Sequence, residues 1–179
     1  MTTNHPPSGR PRVGISACLL GEEVRYDGGH KRDAVILDAL ESLVEWVPVC
    51  PEVEAGFGTP REPMNLVRTE GGVRVITVDT ARDVTEVLDA FAKKRVSELA
   101  FDDLSGYVFK KDSPSCGLDD VKVYEAHGAA ERSGRGRFAA ALIDRFPNLP
   151  VEDESRLSDP RLRQRFLERV LAYSRQKRG

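Results

Sequence analysis

The feature that most constrains the fold is a cysteine at or just past the end of each of three short apolar runs. Cys18 follows one run directly, Cys50 ends a second, and Cys116 follows a third after a five-residue loop. Such runs are typical of buried strands, and the carboxyl ends of parallel strands share one edge of an α/β sheet, where ligands bind. We therefore expect the three thiols to meet at that edge. Three thiolates at one point indicate a metal or iron–sulfur site with one position left open.

Segments of helical periodicity alternate with the apolar runs, beginning after Asp33, which is a good N-cap residue. This alternation predicts an α/β fold with a mostly parallel sheet and helices on both faces. Residues 51–66 contain prolines and glycines without a regular period, so an ordered loop or a flexible lid is expected there. We further expect a disordered leader at 1–11, a single domain at 12–175 and a basic tail at 176–179.

The overall composition is that of an ordinary soluble protein. The 179 residues are 40% hydrophobic and 31% charged, and the net charge of -2 gives no global attraction to nucleic acid or to an anionic membrane. No apolar run approaches the length of a membrane span, and residues 1–10 lack the apolar stretch of a secretory signal, so a cytoplasmic location without membrane contact is predicted. In a reducing compartment, an odd number of cysteines argues against structural disulfides.

Three inert core thiols are the plain alternative to a metal site, because free cysteine packs well in protein interiors. The local sequence argues against it, since Cys50 precedes a proline and Cys116 lies in a Ser-Pro-Ser-Cys-Gly turn. The chain has no C-x-x-C pair of the kind found in zinc ribbons and thioredoxin-type redox sites. A four-iron cluster on three thiolates keeps one iron available to an outside ligand, and that iron is a Lewis acid with affinity for sulfur.

A carboxylate and a hydroxyl-rich loop lie close to these cysteines in the sequence. Glu52, two residues after Cys50, is a candidate for handling a proton or a water beside an exposed iron, although a solvated loop carboxylate is the commonest fate of glutamate. The loop at 110–117 offers hydroxyls and N–H groups to cluster sulfides or to a polar substrate, and its alternative is a tight turn. Lys111 in that loop either steers an anion or is solvated.

Three further residues are candidates for lining a substrate site. Arg25 and Tyr26 lie in a polar, glycine-rich stretch shortly after Cys18, and Arg61 lies in the proline-containing segment after Cys50. For each of them the alternative is a place in an ordinary turn. The sequence contains no P-loop, dinucleotide fingerprint or nucleophile elbow.

Three motifs in the right order resemble those of a bacterial family, the thiouracil desulfidases, once catalogued as a domain of unknown function. They are GISACLLG at 14–21 with VRYDG at 24–28, CPEV at 50–53, and KDSPSCG at 111–117. The resemblance extends from about Val13 to about Tyr173. A related domain occurs in enzymes that desulfurate thiouridine in tRNA.

The resemblance implies a Rossmann-like, desulfidase-like domain with a [4Fe-4S] cluster on Cys18, Cys50 and Cys116. The iron without a cysteine ligand would bind the sulfur of a thiocarbonyl. Glu52 and Ser113 occupy the positions of the family's catalytic acid–base pair. The implied reaction is the exchange of C=S for C=O with water and the release of sulfide, without net redox chemistry. In air such an exposed cluster is expected to be lost or replaced.

The substrate implied by the resemblance is a thiolated pyrimidine, and two departures from the family pattern bear on its identity. Residues 54–58 replace a glycine pair followed by leucine, and Met64 and Asn65 replace a small and an acidic residue after Pro63. Both fall in the expected substrate lid. The tRNA-acting members carry an extra C-terminal domain, so a free base or nucleoside is favoured over tRNA. A monomer is expected.

Two other functions remain open from the sequence. Another [4Fe-4S] Lewis-acid enzyme, such as a lyase acting on a hydroxy acid, would need several convergent arginines for carboxylates, and Arg25 and Arg61 are the candidates. A cluster- or zinc-stabilised module that binds nucleotide or tRNA would hold metal without turnover.

Overall fold

The computed structural model describes residues 9–178, which form two four-stranded sheets and six α-helices. In chain order the strands are β1 (Arg12–Ser16), β2 (Glu45–Val49), β3 (Met64–Thr69), β4 (Gly72–Thr77), β5 (Leu104–Phe109), β6 (Val121–Tyr124), β7 (Ala130–Gly134) and β8 (Val151–Asp153). The helices are α1 (Ala34–Leu40), α2 (Pro51–Glu54), α3 (Thr85–Leu99), α4 (Arg137–Arg145), α5 (Glu154–Leu157) and α6 (Pro160–Arg178).

The first sheet has the order β2-β1-β5-β8, and all of its strand pairs are parallel. Its two faces carry different residues of the same strands, because side chains alternate along a strand. Val108 packs with residues of α1 and α6 on one face. Tyr107 and Phe109 pack with residues of α3 and α4 on the other. The predicted α/β class, with a mostly parallel sheet covered by helices on both faces, is confirmed.

A second, mixed sheet adds to the predicted architecture. Its order is β4-β3-β6-β7, with β3 parallel to β6 and antiparallel to β4. The expectation of an irregular segment at 51–66 is wrong at its two ends, because α2 starts it and β3 begins at Met64. Met64 and Leu66 alternate with less buried neighbours, as in a half-buried strand. The nearby prolines and glycines hid that short period.

The two ends of the chain were predicted to be a leader and a tail. Residues 1–8 of the predicted leader lie outside the described residues. Residues 176–178 of the predicted basic tail continue α6, where the ammonium of Lys177 lies 2.6 Å from a carboxylate oxygen of Asp103. The division into one domain at 12–175 stays a prediction. Every helix within residues 9–178 is too short or too polar to cross a membrane.

The parallel sheet brings the ends of three strands to one place. In the register of the sheet, Ser16 at the end of β1 lies beside Val49 at the end of β2, and Ile15 lies beside Val108 of β5. The segments that follow β1, β2 and β5 therefore leave the sheet at the same edge. These are the three segments that contain the cysteines.

Candidate active site

The three cysteines line one cavity of about 460 Å³. Cys18 lies in a short 3₁₀ helix (Ala17–Leu20) after β1, Cys50 is the N-cap residue of α2, and Cys116 lies in the loop after β5. Cys18 and Cys116 are buried, Cys50 is half-buried, and all three are free thiols. The convergence expected from the ends of the strands is therefore found.

Burial and mutual charge disfavour the thiolate form of these cysteines. Burial raises the pKa of Cys18 to about 11, and the neighbouring Cys50 acts in the same direction. The pKa of Cys116 is also raised, first by burial and then by the nearby charges of Cys50 and Glu52. Burial likewise raises the pKa of Cys50. Three thiolates in this cavity would repel one another, so a positively charged centre is needed to hold all three in that form.

Glu52 lies in the first turn of α2 and lines the same cavity. One carboxylate oxygen accepts a hydrogen bond from the Ser115 hydroxyl at 2.7 Å. The other accepts from Nε of Arg61 at 2.8 Å, and Nη2 of Arg61 lies 2.7 Å from it. The Arg61 and Glu52 side chains are only 8% and 12% exposed. The carboxylate is therefore fixed in position at both oxygens.

Ser113 and Ser115 extend this network along the loop after β5. The hydroxyl oxygens of the two serines are 3.1 Å apart. The Ser113 hydroxyl also accepts hydrogen bonds from the backbone N–H groups of Ser115 at 3.2 Å and Cys116 at 3.0 Å. Those two amides are thus satisfied within the loop. Ser113 and Glu52 are joined through Ser115, a residue that the sequence analysis did not identify.

The loop is attached to the N-terminus of α4. The N–H groups of Phe138 and Ala139 donate to the Ser115 carbonyl at 3.0 and 3.2 Å, and Gly136 donates to the Gly117 carbonyl at 2.7 Å. A Cβ atom on Gly136 would lie 2.4 Å from the backbone carbonyl of Ser115, so only glycine fits. Helix N-termini have spare N–H groups, and here the loop takes them. The glycine-rich sequence before α4 was the available signal for this contact.

The predicted substrate-binding residues Arg25, Tyr26, Arg61 and Lys111 all line the cavity. Arg25 contacts the Tyr26 ring, with 5.3 Å from the guanidinium carbon to the ring centroid, and lies 3.5 Å from the Asp27 carboxylate. Tyr26 is 41% exposed. The Arg61 guanidinium is occupied by Glu52 and the Gly58 carbonyl. Whether any of these residues contacts a substrate stays a prediction.

The start of β3 forms another part of the cavity lining. Met64 and Asn65 line it, and Met64 is buried. The Asn65 side-chain amide makes no hydrogen bond to any residue within 9–178 and is free to bind a ligand. Lys31 and Lys111 also line the cavity without an ion pair to the described part of the chain. These groups leave polar atoms available for an incoming molecule.

The donor set suits an iron–sulfur cluster. Three soft thiol donors, the ligands that such clusters take, face a cavity with room for a group larger than one ion. Two unpaired lysines at that cavity favour an anionic occupant, and a cluster with three thiolate ligands is anionic. Within residues 9–178, no group of three or more His, Cys, Asp or Glu side chains is arranged to hold a metal ion, so the three thiols suit a cluster of several irons, each thiol on a different iron, rather than a single ion.

The fold and the site define a class: an α/β protein with a thiol-lined cavity at the carboxyl edge of a parallel sheet and a fixed carboxylate beside the thiols. Comparison with known proteins gives the family. The model of the 2-thiouracil desulfurase family matches residues 13–154, and the chain belongs to that family. The resemblance inferred from the three motifs is thereby confirmed.

The chain is also similar to two individual proteins. The solved structure of the [4Fe-4S]-dependent thiouracil desulfidase TudS matches with a TM-score of 0.68 and 32% identity, covering 87% of this chain and 97% of its own. The uncharacterized protein YbbK of Bacillus subtilis (strain 168) is 34% identical over 108 residues, which are 58% of this chain and 71% of YbbK.

Proposed function

We propose that this protein is a [4Fe-4S]-dependent desulfidase that converts the C=S group of a thiolated pyrimidine, a thiouracil-type base or nucleoside, to C=O and releases sulfide. The observation that carries the proposal is that Cys18, Cys50 and Cys116 line one cavity with Glu52. Membership of the 2-thiouracil desulfurase family and the likeness to TudS support it. The exchange consumes one water per thiocarbonyl and transfers no electrons.

The three cysteines are the residues that would hold the cluster. When bound, it would supply an iron with a free position, a soft Lewis acid that attracts the substrate sulfur. The buried Cys116 and Cys18 would be shielded from solvent, whereas Cys50 is half-buried.

Glu52 is the proposed base. Its carboxylate is fixed by Ser115 and Arg61, so it takes a proton from the attacking water without first reorienting. Arg61 positions the carboxylate while it lines the substrate cavity. Ser113, at the far end of the same hydrogen-bonded chain, is the proposed donor to the pyrimidine.

The remaining lining residues are proposed to bind the ring. Tyr26 offers an aromatic face, Arg25 and Lys111 attract the electron-rich thiolated base, and Asn65 presents an amide that both donates and accepts. A small base or nucleoside is the proposed substrate, with tRNA as the less favoured one.

The lyase alternative has less support. It requires arginines free to bind carboxylates, whereas Arg25 lies 3.5 Å from Asp27 and Arg61 is bound to Glu52. Arg61 is therefore not free for a hydroxy acid, and Arg25 alone does not supply the several arginines that the lyase alternative requires.

Anaerobic reconstitution with iron and sulfide, followed by addition of 2-thiouracil, tests the proposal. We expect loss of the thiouracil ultraviolet absorbance with one sulfide released per uracil, dependent on the cluster. Unreconstituted and zinc-loaded protein are the controls and should be inactive. A stably loaded protein that leaves thiouracil, 4-thiouracil and thiouridine unchanged would contradict the proposal.

A further inference from the structure

Ser115 is a buried hydroxyl in the only hydrogen-bonded connection, among residues 9–178, between Glu52 and Ser113. It is 2% exposed, lies 2.7 Å from a Glu52 carboxylate oxygen and lies 3.1 Å from the Ser113 hydroxyl. No direct hydrogen bond joins Ser113 to Glu52 in that part of the chain. Glu52 and Ser113 are therefore connected through the side chain of Ser115 alone.

The donors and acceptors along this network can be assigned one by one. The Glu52 carboxylate, paired with Arg61, only accepts, so the Ser115 proton points to it. The Ser113 oxygen accepts from the amides of Ser115 at 3.2 Å and Cys116 at 3.0 Å, so at rest its own proton is directed to the Ser115 oxygen, 3.1 Å away. The order is Ser113 to Ser115 to Glu52.

We propose that Ser115 is a proton relay between Glu52 and Ser113, an inference that rests on the proposed desulfidase function. When water adds to the thiocarbonyl carbon, a C–O bond forms and Glu52 takes one water proton. The hydroxyl chain then reverses: the Ser113 oxygen exchanges its longer hydrogen bond, from the Ser115 amide, for one from the Ser115 hydroxyl. Glu52 gives its proton to Ser115, Ser115 passes its own to Ser113, and Ser113 delivers one to the substrate atom that became negative. Glu52 ends as the carboxylate, and the protein gains no net proton. The second water proton passes from the added oxygen to the departing sulfur as C=O forms and C–S breaks, so the sum is C=S + H₂O → C=O + H₂S.

The geometry of the loop keeps this relay in place. The Ser115 carbonyl accepts from two N–H groups of α4, and its amide donates to Ser113. The carbonyl side of Ser115 is thus held by α4, so the reversal needs only the rotation of the two hydroxyl groups and the release of the Ser115 amide bond to Ser113. Proton transfer is favoured where donor and acceptor are held within hydrogen-bond reach.

The test compares Ser115→Ala with Ser115→Thr, which keeps a hydroxyl, and with Ser105→Ala, which removes another buried hydroxyl away from the cavity. For Ser115→Ala at equal cluster content, we expect kcat to fall about 100-fold, with KM changed less than about threefold. The Thr variant should recover most of the rate, and Ser105→Ala should match the wild type. A Ser115→Ala protein that is folded, loaded and within about threefold of wild-type kcat would overturn the relay.

Two measurements keep the proposal falsifiable if the alanine variant folds poorly. In mixtures of H₂O and D₂O, wild-type kcat should follow a curved dependence on deuterium fraction, as expected when several protons move together, and a linear dependence would overturn the relay. In cluster-free protein labelled at glutamate carboxyls with ¹³C, the Glu52 signal should shift in Ser115→Ala or Ser115→Thr, while that of Glu54 stays. An unmoved Glu52 signal in both variants contradicts the hydrogen-bonded chain.

The two proposals fail in different ways. Loaded wild-type protein without turnover of a thiolated pyrimidine contradicts the desulfidase function and the relay together. Turnover by the wild type that the loss of the Ser115 hydroxyl does not impair contradicts the relay alone.

Discussion

Two sets of residues that line the cavity differ in how fully their polar groups are paired. The residues of the thiol wall (Cys18, residues 50–52 and the loop 113–116) are buried or half-buried, and its carboxylate and hydroxyls are hydrogen-bonded to one another. The open wall (residues 24–26, Lys31 and residues 63–65) contains the exposed Tyr26 and two side chains, Asn65 and Lys31, without partners within residues 9–178.

The paired and the unpaired groups suit two different tasks, which are the reaction and the selection of the substrate. Reactive groups act best when their surroundings hold them rigidly, and the thiol wall has that rigidity. Groups that select a ligand must be free to bind it, and the open wall has such groups. Met64 and Asn65, where the sequence departs from the family pattern, lie on the open wall. We infer that the thiol wall performs the reaction and that the open wall selects the substrate.

Removal of one cysteine thiol from the thiol wall is expected to have the largest effect on activity. We expect Cys116→Ser to lose the cluster and all detectable turnover, because two cysteines and a buried hydroxyl hold an iron–sulfur cluster poorly. Iron and acid-labile sulfide per protein, measured beside thiouracil turnover, check this. Full cluster content and wild-type activity in this variant would show that Cys116 is not a ligand.

Neutralising the carboxylate tests the chemistry without removing a ligand. Glu52→Gln should keep the cluster and lower kcat about 10²- to 10⁴-fold, the usual contribution of a general base. Glu54→Gln is the matched control on the same helix: Glu54 lies off the cavity, bound to Arg95 and to the Cys50 amide, so activity should stay within about threefold. Retained activity in cluster-loaded Glu52→Gln protein would remove Glu52 from the mechanism.

A substitution at the contact between the loop and α4 is expected to have an intermediate effect, on the stability of the protein. Gly136→Ala places a Cβ atom 2.4 Å from the Ser115 backbone, so we expect a loss of about 1–3 kcal/mol of unfolding free energy, as in other overpacked sites. Denaturant unfolding of the cluster-free protein measures it. Gly71→Ala is the control, since its Cβ would meet nothing closer than 3.8 Å. Equal stability of the two variants would contradict the close contact.

The smallest effect is expected on the open wall. Asn65→Ala removes one potential hydrogen bond to the substrate, worth about 0.5–1.5 kcal/mol, so KM should rise about 2- to 10-fold with kcat nearly unchanged. Steady-state kinetics on thiouracil and thiouridine separate the two parameters. A loss of kcat as large as that of Glu52→Gln would contradict the inference that the open wall only selects the substrate.

The sequence predicts the thiol wall better than the open wall for a physical reason. Cys18 and Cys50 follow short apolar runs that form the neighbouring parallel strands β1 and β2, and the ends of paired strands fix where the next residues lie. The link from Ser115 to Glu52 joins positions 63 residues apart, and only tertiary packing brings them together. Strand β7 is exposed along nearly its whole length, so its sequence shows no alternation of apolar and polar residues from which a strand could be predicted.

Turnover of 2-thiouracil in H₂¹⁸O by the reconstituted protein, with mass analysis of the product, shows directly whether water supplies the new oxygen atom. We expect uracil carrying one ¹⁸O atom, formed together with one sulfide and without an added oxidant or reductant. Unlabelled uracil, or a loaded protein that forms no uracil, would contradict the proposed exchange of C=S for C=O with water.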